Sequence, residues 1–255
     1  MGLGVTAEDF GLEGPRGWAF RRVRLDAEPG SLIAMEGPSG SGRTCLLLAL
    51  TGRMRPTEGS AVVGASRLPK QMAAVRQESA LAHVPGVTDL DPALTVGEHL
   101  SERALLQRRF GGSLRGLLRP RAERTAEAKL RIDRALAAAG LDREALPKGS
   151  RTAVRDLERL EALRLSIALA LLGRPRLLGV DDTDLKLSDA ERAEVWALLR
   201  SLAEAGSTVL AVCSEAPEGA VVVSTAPGST PQATDGQGAH DDKETADALA
   251  ETGRS

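Results

Sequence analysis

A chain of 255 residues can bury a core as one large domain or two small ones, which excludes single-helix and disulfide-scaffold readings. Its 33 basic against 35 acidic residues leave a formal net charge of -2, so a protein built to coat nucleic acid is not expected. Cys45 and Cys213 each sit inside an apolar run far apart in the chain, which predicts reduced core thiols and fits a cytosol.

The start, "MGLGVTAEDF", has no basic region followed by an apolar stretch, and the longest apolar runs, "CLLLAL" and "IALALLG", are too short to span a bilayer. Any membrane attachment therefore runs through a partner or a surface patch. "RRVRLDAEPG" alternates Val23 and Leu25 with charged residues as an outer strand does, and "SLIAMEG" reads as a short buried strand. That strand runs into Gly37-Pro38-Ser39-Gly40-Ser41-Gly42-Arg43-Thr44-Cys45, followed by "LLLALTG", a leucine-rich helix that stops at Gly52. Strand, glycine loop and helix form the context of a phosphate-binding loop. Successive backbone N–H groups converge on phosphate oxygens there, and the helix offers its positive end to the same anion. Thr44 is the candidate hydroxyl for Mg²⁺ and Arg43 the candidate cation for the β- and γ-phosphates. Arginine neutralises phosphate too, but its planar fork seeks two oxygens where an ammonium presents a point charge. A glycine-rich turn with no ligand is the alternative reading of the same residues.

"SAVVGA" and "ALAHVPG" read as further strands, and from Thr95 the texture becomes helical. Thr95-Val96-Gly97-Glu98 has the spacing of a capping box. Breaks at "FGGS", Pro120 and "LPKGS" divide the region to about Leu172 into several helices, a helical subdomain inserted over about 95–160. Within it, Arg108, Arg109, Arg115, Arg119, Arg121 and Arg124 interleave with Phe110, Leu114, Leu117 and Leu118. That stretch is either a surface for lipid headgroups or an acidic helix, or a solvated face.

"RLLGVDD" is an apolar strand ending in Asp181 and Asp182, as an acidic magnesium-holding strand would. Ser188-Asp189-Ala190-Glu191 is a second capping box, opening a helix with Val195, Trp196, Leu198, Leu199 and Leu202 on one face. "STVLAVCS" and "AVVVST" complete the strands. The remainder, 226–255, lacks apolar periodicity and leans acidic, which predicts a disordered tail after a domain of 1–225. His83, His99 and His240 are too scattered for a metal site.

In this order the segments "EPGSLIAMEGPSGSGRT", "LDPALTVGEHL", "IALALLGRPRLLGVDD", "DAERAEVWALL" and "GSTVLAVCSE" resemble the nucleotide-binding subunit of an ATP-binding cassette (ABC) transporter over roughly Asp9 to Val223. The resemblance implies an α/β, P-loop NTPase core of ABC ATPase type with an inserted helical subdomain and an outer antiparallel β part. It also implies ATP and Mg²⁺ as cofactors and a separately encoded membrane protein as partner. It places the chain in the cytoplasm or peripherally at the inner face of the cell membrane. Residues 37–45 would take the phosphates, Thr44 and Asp181 the metal, and Asp182 the place of the water-positioning glutamate.

Several family residues are replaced. The glutamine of the glutamine loop falls on Gly86, the "LSGGQ" signature on Leu157-Glu158-Arg159-Leu160-Glu161, the aspartate loop on Ser188, and the switch histidine on Ser214. Gly86 lacks a side chain to touch metal or γ-phosphate, Asp182 is one methylene shorter than glutamate, and Ser214 has no imidazole. "LERLE" offers carboxylates where the family presents glycine N–H groups to the opposite subunit's phosphate, and like charge repels. Because such catalysis is positioning plus electrostatic stabilisation, these losses imply ATP binding with weak or absent hydrolysis. A second, complete nucleotide-binding subunit could close over the loop of this chain, whereas its own copies could not supply a signature. Trp18 either stacks adenine, as an aromatic upstream of the loop does in the family, or is an ordinary core or edge tryptophan. A regulatory or scaffolding protein on the same fold is the alternative function. A DNA-associated cassette ATPase is a third, without a long heptad segment or strongly basic domain to support it.

Overall fold

A computed structural model describes residues 1–111 and 121–225; the expected tail and most of the basic stretch around Phe110 to Pro120 lie outside the described residues. The chain opens with an antiparallel hairpin, β1 (Val5–Gly14) and β2 (Gly17–Ala27), turning where Gly14 faces Gly17. With β4 (Glu58–Val63) and β5 (Ser66–Leu68) it makes a four-stranded sheet in the order β2-β1-β4-β5. Val23, Leu25 and Ala27 turn inward while Arg24 and Asp26 stay exposed, the alternation of a strand with one wet face. In β1 the alternation breaks between Ala7 and Phe10, where the register shifts and Asp9 takes a left-handed φ of 45°.

The second sheet is parallel, in the order β6-β7-β8-β3-β9. Its strands are β3 (Leu32–Glu36), β6 (Ser79–Ala82), β7 (Leu177–Val180), β8 (Thr208–Val212) and β9 (Val221–Ser224). The first sheet and the helix that follows β3 cover one face and the helices from Val96 onward the other, so successive residues enter different cores. Ile33, Met35, Leu210 and Val212 pack with α1 (Arg43–Leu50) and the first sheet. Leu32, Leu178, Val180, Val209 and Ala211 pack against the helices on the opposite face. Gly179 in β7 admits Leu47 of α1: a Cβ there would lie 2.8 Å from the leucine's Cδ1.

The remaining helices are α2 (Met72–Glu78), α3 (Val96–Gly111), α4 (Arg121–Ala138), α5 (Arg159–Leu171) and α6 (Asp189–Glu204). Both expected capping boxes form. Glu98 accepts from the Thr95 N–H at 2.7 Å and Thr95 from the Glu98 N–H at 3.2 Å; Ser188 and Glu191 repeat the exchange at 2.8 and 3.3 Å. Val195, Leu199 and Leu202 are buried, and Trp196 and Leu198 pack beside them. The stretch holding α3 and α4 begins and ends side by side, because Val96 donates to Thr152 at 3.0 Å and Val154 to Leu94 at 2.9 Å. Among the described residues no helix is long and apolar enough to cross a membrane.

Candidate nucleotide site

The loop leaves the carboxyl end of β3 and enters α1 at Arg43. Pro38, Ser39 and Gly40 are exposed. A Cβ on Gly40, whose φ is +80°, would meet no heavy atom within 4 Å. Gly42, at φ +84°, faces inward instead: a Cβ there would lie 2.0 Å from the carbonyl oxygen of Ala19 in β2. Its lack of a side chain therefore serves the packing of the loop on the first sheet. At Gly37 a Cβ would press on Thr225, whose hydroxyl lies 2.6 Å from that of Ser41.

No side chain caps α1, so its first-turn N–H groups have no intrahelical acceptor and keep the helix's positive end open. Thr44 donates its hydroxyl to Asp181 Oδ2 at 2.7 Å, and Asp182 donates its N–H to Asp181 Oδ1 at 2.9 Å. Asp181 is only 1% exposed. Burial pushes its carboxyl pKa up, against the lowering effect of those two hydrogen bonds. A hard cation suits this hydroxyl and buried carboxylate, and a phosphate suits the uncapped helix start, so the residues fit Mg²⁺ and a polyphosphate. Among the described residues there is no cluster of three or more His, Cys, Asp or Glu that could hold a metal by itself. One arm of the Arg43 guanidinium is engaged: it donates to the carbonyl of Cys213, just beyond β8. The Cys45 thiol is pushed up by burial and by the charge of Asp181, which leaves it a poor nucleophile.

The family profile described as ABC transporter matches residues 20–184. The chain belongs to that family. The cassette is 30% identical over 186 residues to the Nod factor export ATP-binding protein I of Cupriavidus metallidurans, covering 73% of this chain and 54% of that protein. It is 32% identical over 191 residues to the Fe(3+) ions import ATP-binding protein FbpC of Streptomyces avermitilis, covering 74% and 49%. The chain thus spans about half the length of these curated relatives. In fold it is similar to cbiO1 from Clostridium perfringens, part of the cbiONQ complex, with a TM-score of 0.66, 18% identity and 84% and 80% of the two chains covered. It is also similar to the post-hydrolysis dimer of the cassette MJ0796 bound to ADP and Pi, with a TM-score of 0.61, 23% identity and 83% and 88% covered.

The positions expected to depart from the family pattern have definite places in this cassette. Gly86 is exposed with φ +74° and closes a turn by donating to Asp89 at 2.9 Å. In "LERLE", Leu160 is buried, and Glu161 accepts from the backbone N–H of Glu158 at 2.8 Å. The two glutamates there are the N-terminal cap of α5, a role missed from sequence although their i, i+3 spacing carries its signal. Arg159 reaches the Leu185 carbonyl at 2.6 Å, and the half-buried Asp182 takes a left-handed φ of 48°. Ser214 is exposed, with its N–H held by Asp184 at 2.5 Å, and Ser188 is the cap of α6. Trp18 lies on the outer sheet, 39% exposed, with the Arg21 guanidinium 4.3 Å from its ring centroid and Arg21 paired with Glu58 at 3.1 Å. Two surface hollows of about 670 and 440 Å³ lie away from the loop, one beside Asp142 and Gly149, the other between Asp91, Arg103 and Ser166.

Proposed function

We propose that this cassette is the ATP-binding subunit of a transporter, that it binds ATP with Mg²⁺ at residues 37–45, Thr44 and Asp181, and that it hydrolyses ATP slowly or not at all. The observation that carries the reading is the Thr44–Asp181 pair at the uncapped start of α1, which sets a hydroxyl and a buried carboxylate beside a free anion site. Bound Mg²⁺ would supply charge neutralisation between the β- and γ-phosphates. Hydrolysis needs a positioned water and clamped phosphates. Asp182, the shorter acid, stands where water would be positioned, and Gly86 has no side chain to sense the metal.

The partners of the reading are a separately encoded membrane protein and a second cassette with a complete signature, in the cytoplasm at the inner face of the membrane. Exporting and importing relatives leave the substrate and direction open. Residues 95–160 are the helical insert of a 1–225 domain. A buried Leu160 and a self-capped α5 cannot present glycine N–H groups to another chain's phosphate, which favours a heterodimer over a homodimer. The same observation favours a second reading, a regulatory or scaffolding protein on the cassette fold. ATP·Mg titration and turnover on one preparation separate the two: binding without appreciable turnover is the expected result, and no binding leaves the scaffold.

A further inference from the structure

By the family resemblance, Arg43 stands where the loop lysine would be and Ser214 where the switch histidine would be. Here Arg43 reaches the residue before Ser214. The guanidinium of Arg43 donates to the carbonyl of Cys213, and the next residue, Ser214, has its N–H fixed by Asp184. Strands β3 and β8 are parallel neighbours with Met35 opposite Val212, so the loop leaving β3 and the segment leaving β8 emerge side by side at the carboxyl ends of the strands. Asp184, Glu36 and Glu215 surround that strand end, and Arg43 is the cation that opposes their field on Cys213. An ammonium that reached the carbonyl would turn its point charge away from the phosphates. A guanidinium has five N–H donors in a rigid fork, so one arm can rest on the carbonyl while the others and the delocalised charge stay free.

We propose that Arg43, anchored on the Cys213 carbonyl, presents its remaining donors to the terminal phosphate of ATP and so covers the contacts of both the missing lysine and the missing histidine. The arginine and the small, exposed Ser214 are then a matched pair: the hydroxymethyl group leaves room for the fork where an imidazole would stand. This rests on the reading that the loop binds ATP, and it concerns retention of the phosphate, leaving the water-positioning defect at Asp182 in place.

The test is a double-substitution cycle read by titration calorimetry with ATP·Mg and ADP·Mg, with circular dichroism on each variant to show that it is folded. Arg43→Lys should weaken ATP about tenfold and ADP less, because a bidentate, charge-assisted contact to the terminal phosphate is lost. Adding Ser214→His in the Arg43→Lys background should recover most of that loss, so the two changes are non-additive. Arg43→Gln, which removes the charge and shortens the side chain by two atoms, should lose ATP over ADP discrimination at least as fully as Arg43→Lys does. ATP binding by Arg43→Lys as tight as in the unmodified chain, or additive changes across the cycle, would overturn the proposal. Absence of ATP binding by the unmodified chain would instead remove the nucleotide-binding reading on which it stands.

Discussion

The Thr44 hydroxyl and the Asp181 carboxylate meet at 2.7 Å, joining the first turn of α1 to the end of β7. Residues 137 positions apart thereby form one oxygen-rich point beside the phosphate loop. If Mg²⁺ docks there, ATP should stabilise the fold in a metal-dependent way. At a hundredfold excess over Kd, a ligand bound only by the native state contributes about 2.7 kcal/mol. Thermal melts should show an upward shift with ATP·Mg that falls on chelation. Asp181→Asn should bind ATP equally with and without Mg²⁺; a metal effect that survived in this variant would place the ion elsewhere.

Gly42 and Gly40 should respond differently to a side chain. Gly42→Ala drives a methyl into the Ala19 carbonyl at an unfavourable φ, so urea melts without nucleotide should show a loss of at least about 3 kcal/mol. Gly40→Ala meets nothing and should lose only the left-handed penalty, about 1 kcal/mol. Equal losses would mean that Gly42 is not packed on β2.

Light scattering with ATP·Mg should find no nucleotide-dependent homodimer. The start of α5 is occupied by its own cap, and Leu160 is buried, so a copy has no N–H groups to offer the opposite phosphate. A tight ATP-induced homodimer would show that "LERLE" does not stand in the place of the signature.

Purified protein should turn ATP over slowly, and the Arg43→Lys, Asp182→Glu, Ser214→His combination should gain more than any one change, because residues acting as a catalytic unit are not additive. Gly86→Gln should add little, since a side chain at φ +74° strains the turn by about 1 kcal/mol. Brisk turnover by the unmodified chain that Asp182→Asn abolishes would establish aspartate as a sufficient water-positioning group.

The capping boxes predict a pH signature. Thr95 holds the Glu98 carboxyl below its ordinary range through its backbone N–H and then its hydroxyl, and Ser188 does so for Glu191 through its hydroxyl and then its N–H. A carboxyl whose pKa is lowered by folding stabilises above its unfolded value, near 4.5, and that contribution is lost as pH falls through the folded value. Glu98→Gln with Glu191→Gln should therefore flatten the acid limb of stability against pH below about 4.5. An unchanged slope in denaturant melts across that range would show that the boxes do not couple to protons.

Local chemistry determined much of this protein. The buried run of β3, the glycines after it, the leucines of α1 and the box spacings at Thr95 and Ser188 each specify their own backbone, and all are legible without neighbours. β1 was not, because its register shift at Asp9 breaks the period of two, and that bulge answers to Gly59 of β4: a Cβ there would lie 2.2 Å from the Asp9 carbonyl. Within the candidate site, residue types and order pointed to Thr44 and Asp181, and the family resemblance to the positions that depart from it. What each of those residues touches was decided by the tertiary structure. Which way Gly42 faces depends on Ala19, what Arg43 holds depends on the neighbouring strand end at Cys213, and whether two glutamates repel or cap depends on where α5 begins. Those are contacts between segments far apart in the chain, and no period in one segment encodes the partner that the packed sheets bring to it.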